Sequence, residues 1–258
     1  MKNEIRLTTT GVLSFFEIIA RSHPLIYLFF RSIIRFTNIF EKDFDGVKKI
    51  NLQKKINIID VGASDGIASK FFYNNLNTGT IVCVEPHPGY IKILKKINIK
   101  NIIIKPFAIG EKISTKTIFF PRYKLFNKNF DLITYTHYDK KLTKHFIKDF
   151  FFRKKILKEK EKLHIRKIGK INKKIHLIKI DTNGFEYSVL KGLMSTIKKD
   201  RPALLLEANQ GEKKQIDRFL NKFSYVPYYY SINKKKFTCK KDYHALNIYY
   251  LQKKHLKN

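Results

Sequence analysis

"INIIDVGASDG", residues 56–66, sets a short β-branched run directly against two glycines and two aspartates. The run reads as a strand buried on both faces, and "GIASKFFYNNL" after it has helical spacing. A junction that only had to turn would not need this composition. Gly62 lets the backbone approach a ligand with no side chain in the way, and Gly66 permits a tight helix entry. Asp60 and Asp65 carry the wrong charge for a phosphate cradle and suit a cationic or hydroxyl-bearing ligand. The dinucleotide fingerprint G-x-G-x-x-G is absent, because Ser64 stands at its second glycine and no third glycine follows in register.

The alternation continues downstream. "TIVCVEP" (80–86), "NIIIKPFAIG" (101–110), "HLIKIDTNG" (176–184) and "PALLLEAN" (202–209) read as strands. Between or after them, "PGYIKILKKI", "FEYSVLKGLMSTIKK" and "EKKQIDRFLNKF" read as helices. Continuous apolar runs in strand–helix–strand order imply a parallel sheet with right-handed crossovers. "SYVPYYY" and "HALNIYYLQ" have no helix between them, so a C-terminal antiparallel pair is expected. The expected fold is α/β and Rossmann-like, with the main domain over 51–258 and an N-terminal helical extension over 1–50. A Lys-rich insertion at about 121–173 interrupts the alternation, and its part "KHFIKDFFFRKKILKEKEKLHIRKIGKINKK" is expected to be helical in part. Loops of that length without regular structure are usually lids or mobile.

The extension is apolar over 11–40 but interrupted by Glu17, Arg21, Arg31 and Arg35, so no span of about 18 uncharged apolar residues forms. The basic start and small-residue cleavage site of a signal peptide are lacking as well. Two readings stand: helices covering a core or partner, with Pro24 starting the second, or a basic amphipathic helix on a membrane surface. The chain carries 53 Lys and Arg against 21 Asp and Glu, a net charge of +32. Lys far outnumbers Arg, which fits compositional drift on solvated faces at least as well as a polyanionic partner. Two cysteines, Cys83 and Cys239, form neither a disulfide framework nor a metal spacing, so a reducing cytoplasmic setting is the default. A place at the inner face of a membrane stays open, and the sequence shows no oligomeric state.

Twenty residues after Asp65, Glu85 stands at the carboxyl edge of the second strand, where an acid can take both hydroxyls of a ribose. A ribose acid together with a first turn unsuited to phosphate describes adenosine without phosphates. S-Adenosylmethionine fits, with its amino-acid end near Asp60 and Gly62 and a sulfonium that tolerates acidic surroundings. No His/Asp cluster suggests a metal.

"IIDVGASDGIAS", "VCVEPHP", "FAIG" and above all "IKIDTNGFEYSVLKGL" resemble the FkbM family of S-adenosylmethionine-dependent methyltransferases. The likeness runs from residue 56 to about 250. It implies that Asp60, Gly62, Ala63, Ser64, Asp65, Gly66, Glu85, Pro86 and Ala108 hold the cofactor. It implies O-methyl transfer to a hydroxyl of a sugar, glycan or glycolipid, with Asp181 positioning or deprotonating the acceptor and Glu186 beside it. Ser64 departs from the family's usual Asn, and Asn183 stands where many relatives carry Glu. Glu207, His87 and His137 are secondary candidates. A Lys-rich lid would suit an acidic acceptor, and residues 11–40 could touch a membrane. Two rivals remain: a nucleic-acid methyltransferase, for which "DTNGF" lacks the prolines of a base-stacking motif, and a non-catalytic membrane-surface protein.

Overall fold

The computed structural model describes residues 25–26, 28–29, 32–33, 41–52, 55–132, 136, 141, 156–169, 171–207, 211–240 and 245–256. The chain divides into two compact units, one of Asn38–Lys116 with Leu163–Asn258, the other of Met1–Thr37 with Thr117–Lys162.

The first unit is built on a sheet of eight strands. Its parallel part comprises β1 (Ile56–Val61), β2 (Thr78–Val84), β3 (Ile102–Lys105), β8 (Leu177–Ile180) and β9 (Ala203–Glu207). The C-terminal strands β10 (Val226–Ser231), β11 (Lys236–Thr238) and β12 (Asn247–Leu251) extend it antiparallel, in the order β11-β10-β12-β9-β8-β1-β2-β3. The fold is thus the expected α/β Rossmann-like class I methyltransferase type.

The pleat explains the continuous apolar runs. Ile59, Val61, Ile178, Ile180, Leu204 and Leu206 point into one core, with Val189, Leu193, Ile197 and Ile216. Those four lie on or between the helices α3 (Glu186–Gly192), α4 (Met194–Asp200) and α5 (Lys213–Asn221). Ile58, Ile81, Leu177 and Leu205 point the other way, onto α1 (Ile67–Asn75), α2 (Pro88–Leu94) and the 3₁₀ turn Lys42–Lys49. Both faces are covered, so neither set of alternating positions needs to be polar.

The third expected strand, 101–110, is two. Pro106 has no N–H to continue a ladder. After β3 the chain forms β4 (Ala108–Ile109), which pairs parallel with Ile165 and Arg166 of β7 (Ile156–Arg166). The helix expected from 185 is also two, and Gly192 ends the first. A Cβ there would fall 2.5 Å from the Gly110 carbonyl oxygen, so "FAIG" and "LKGL" share one backbone contact.

The insertion corrects the helical expectation for its described part. β5 (Ser114–Leu125) and β6 (Lys128–Asp131) form an antiparallel hairpin. Residues 156–166 are a strand, and burial there alternates: Glu159, Glu161, Leu163 and Ile165 are the more covered side, while Lys160, Lys162, His164 and Arg166 are exposed. A period of two in "KEKEKLHIR" fixes a strand, and it is written mostly in charges, where a hydrophobic count does not see it. His137, Lys154 and Lys155 lie outside the described residues. So does most of the 1–50 extension, although the described residues between 25 and 33 are helical. Among the described residues no helix is long and apolar enough to cross a membrane.

Candidate active site

The carboxyl ends of β1, β2, β8 and β9 meet at one edge of the sheet, and the turn after β1 is pressed against the end of β8. Gly62 has φ +73°, and a Cβ on it would fall 1.8 Å from the Asp181 carbonyl oxygen, so only glycine fits. Its N–H and that of Ala63 both donate to the Val84 carbonyl, tying the turn to β2. Gly66, at φ +80°, precedes α1. Ser64 is left-handed at φ 53°, a conformation that tolerates Asn better than Ser. This is a physical reason for the Asn usual in the resembling family.

Glu85 follows β2, and its residue is 5% exposed. One carboxylate oxygen accepts from the Ser64 N–H at 2.8 Å, the other from the His87 N–H at 2.8 Å. Each oxygen keeps a lone pair, as two ribose hydroxyls require, and half-buried Gly62, Ser64 and Pro86 surround it. Burial pushes the carboxyl up to about 7, against the pull of the His87 and Ser64 amides. The residues present therefore fit an adenosine cofactor. His87 takes the turn role: its Nδ1 accepts from the Gly89 N–H at the start of α2.

Beneath the turn lies a charge relay that the sequence reading missed. Lys179 is buried in the middle of β8, with its Nζ 3.4 Å from Asp60 Oδ1, 3.3 Å from Asp181 Oδ2 and 3.2 Å from the Gly62 carbonyl oxygen. Burial pulls the ammonium down, but Asp181 and Asp60 outweigh it and hold it above its ordinary value. The available signal was a lone lysine inside "HLIKID", a run buried on both faces, where a charge must have a counter-charge. Asp60 and Lys179 are direct neighbours across the β1–β8 pair.

This corrects the place given to Asp60. Its carboxylate is fully buried, receiving Ser69 Oγ at 2.6 Å and facing Lys179, so it supports the turn from below and does not open onto a ligand. Asp65 is buried as well. Removing Lys179 should leave Asp60 uncompensated: Lys179→Met is expected to cost about 3–5 kcal/mol of stability. The double variant with Asp60→Asn should cost less than the sum of the two single changes in chemical denaturation. A loss under about 1 kcal/mol for Lys179→Met would sink the relay.

Glu186 is also corrected. Fully buried, its Oε1 accepts from the Thr182 N–H at 3.0 Å, Thr182 Oγ1 at 3.0 Å and the Gly184 N–H at 3.1 Å, and Oε2 from the same Gly184 N–H. All of this holds the turn 181–185 in shape. Glu186 is a positioning residue, and its carboxylate has no free approach to an acceptor.

Asp181 is different. Its side chain is 43% exposed at the edge, with Lys179 behind it. Ile180 and Leu206 are register partners of β8 and β9, so the next residues, Asp181 and Glu207, end adjacent parallel strands about 5 Å apart. The Asp181 carboxylate pushes the Glu207 carboxyl up to about 9, with Glu186 adding to it. Asn247, opposite Glu207 on β12, donates to Glu41 Oε2 at 2.7 Å and receives support from buried Asp43. Glu41 thus joins the row through Asn247, 206 residues away in the chain, a placement no local pattern announces. Ala108 lies on β4, three residues past Lys105, whose carbonyl accepts from the Glu85 N–H. Among the described residues no His, Cys, Asp and Glu group forms a metal cluster.

A domain family described as the FkbM methyltransferase domain matches residues 60–227. No curated protein matches the sequence. Among solved structures, the FkbM methyltransferase of Methylobacillus flagellatus KT aligns at TM-score 0.49 and 15% identity, over 77% of this chain and 44% of that one. The chain therefore spans less than half the length of that protein. The precorrin-6y C5,15-methyltransferase of Geobacter metallireducens GS-15 aligns at TM-score 0.40 and 14% identity, over 81% and 84%. M. capricolum TrmK in complex with S-adenosyl-homocysteine aligns at TM-score 0.37 and 13% identity, over 84% and 70%. With the family domain covering most of the chain, from the Asp60 turn past the Asp181 segment to β10, the protein belongs to the FkbM family of S-adenosylmethionine-dependent methyltransferases.

Proposed function

We propose that the chain methylates a hydroxyl of a sugar, glycan or glycolipid acceptor. The observation that carries this reading is the exposed Asp181 carboxylate, standing beside Glu207, whose carboxyl it pushes up, at the strand edge that also holds the Glu85 turn. An alcohol is a poor nucleophile until its proton is taken, and Asp181 is the carboxylate placed to take it.

S-Adenosylmethionine, when bound, supplies an electrophilic methyl group for in-line displacement. Glu85 orients the ribose through its two spare lone pairs, and the Gly62 turn lets the ligand approach the backbone. Lys179 holds Asp181 in place from behind, and Glu186 fixes the turn that carries it. Holding acceptor oxygen, carbon and sulfur in line can supply as much as about 7–11 kcal/mol of the barrier. The Asp181 carboxylate disfavours a negative group beside the reacting hydroxyl. Any acidic group of the acceptor therefore lies away from that hydroxyl. Two free cysteines, Cys83 buried and Cys239 exposed, support a reducing, cytoplasmic setting.

The test is release of S-adenosylhomocysteine with host glycan and glycolipid extracts, followed by mass spectrometry for the gain of one methyl group. Release only with RNA or DNA substrates would overturn the assignment in favour of a nucleic-acid methyltransferase.

A further inference from the structure

The hairpin of β5 and β6 ends in a feature that the methyl-transfer site does not use. Leu125 pairs with Lys128, leaving Phe126 and Asn127 as a two-residue tip. Phe126 is 88% exposed and sits at φ 48°. The left-handed region is unfavourable for a bulky aromatic, and a two-residue hairpin tip prefers Gly, Asn or Asp there. Turn chemistry therefore argues against Phe at this position, and so does water. Such an outlier calls for a role.

Its neighbours are cationic. Lys124 and Lys128 flank the tip and are exposed. In the same unit, alternation along β7 sends Lys160 and Lys162 outward. The acids are used elsewhere: Arg122 donates to Asp131 from Nε at 2.5 Å and from a terminal nitrogen at 3.1 Å, and lies 3.8 Å from Glu159. The hairpin thus sorts its charges, neutralising the carboxylates around one arginine and leaving lysines on the outside. Across 117–162 the sequence holds thirteen Lys and Arg against five Asp and Glu, together with eleven Phe and Tyr. Basic residues around an exposed aromatic match the chemistry of an anionic bilayer surface: lysines meet lipid phosphates while the ring enters the interface.

We propose that the β5–β6 hairpin docks this protein on an anionic membrane, with Phe126 inserting between headgroups and Lys124 and Lys128 bound to lipid phosphate. The docking is independent of the methyl-transfer assignment and of residues 11–40. Nucleic acid is the competing polyanion, and it would use the lysines without requiring the ring to enter hydrocarbon.

The chain has no tryptophan, so Phe126→Trp places a single reporter at the tip. On vesicles of phosphatidylcholine with 30% phosphatidylserine, a composition of about the needed anionic charge, its emission should shift to the blue. Lipids brominated in the acyl chains should quench it. Phe126→Asn suits the left-handed tip, so it should keep or raise the melting temperature while weakening vesicle affinity about ten-fold. Lys124→Gln with Lys128→Gln should weaken it by a further twenty-fold or so, about five-fold per lysine. Emission unchanged by vesicles, or equal vesicle affinity for Phe126→Asn and the native chain, would overturn the proposal. Binding to RNA but not to these vesicles would do the same.

Discussion

Asp181→Asn should leave the protein folded and bound to S-adenosylmethionine while lowering methyl transfer by about 10²- to 10⁴-fold, the range for loss of a general base. The carboxylate is half open to solvent and fills no core space. Asparagine keeps one oxygen for Lys179, so the ammonium retains Asp60, the Gly62 carbonyl and a neutral third partner. What is lost is the ability to accept a proton from the acceptor hydroxyl. The loss should therefore fall on kcat more than on KM, and cofactor affinity measured by calorimetry should change little. With the neighbouring charge gone, Glu207 should titrate closer to an ordinary carboxyl, because Asp181 is the first cause of its upward shift. Glu207→Gln separates the two acids, since it keeps a donor for Asp181 and should cost no more than about ten-fold, below the range for a base. If Asp181→Asn kept turnover within about three-fold and Glu207→Gln abolished it, the base would be Glu207.

The strands that build this edge are legible in the sequence because both sheet faces are covered. The apolar runs of "INIIDV" and "PALLLE", broken only by Asn57, Asp60 and Glu207, leave little choice but a buried strand, and the glycines after the first mark where the chain must come close. Gly62 was readable for that reason. The role of Asp60 was not, because a carboxylate at a strand end can look outward to a ligand or downward to a cation, and only the register with Lys179 decides. Glu186 presents the same difficulty: one residue type serves as base, as dipole partner or as a clasp for backbone amides, and the Thr182 and Gly184 donors show it to be a clasp. The insertion misled because its period of two is carried by Lys and Glu, which every solvated element can display. Glu41 was beyond reach. Its place depends on Asn247 and on Asp43, whose carboxylate receives the Leu246 and Asn247 amides.

Affinity for S-adenosylmethionine should depend on pH through Glu85. Burial raises this carboxyl from an ordinary 4.5 to about 7, so in the free protein near neutrality it is protonated about half the time. Its surroundings are donors: the Ser64 and His87 amides already occupy one lone pair on each oxygen. Two ribose hydroxyls can add two more hydrogen bonds only when no proton sits on either oxygen. Binding therefore selects the carboxylate, and affinity should be flat above about 7 and fall as pH drops below it, approaching ten-fold per unit. Stability of the free protein should run the other way. A carboxyl whose folded value is raised contributes most where both folded and unfolded chains are protonated, below 4.5, and that contribution is lost between 4.5 and about 7 as the unfolded chain ionises first. Glu85→Ala should remove both trends together. It should weaken cofactor binding by roughly 100-fold, the worth of two hydrogen bonds to a charged acceptor at the lower end of their range. Because the alanine also strands the Ser64 and His87 amides, melting temperature must be followed alongside calorimetry. Unchanged binding in a folded Glu85→Ala protein, or a native affinity flat from pH values of about 5.5 to 8, would move the ribose away from the end of β2.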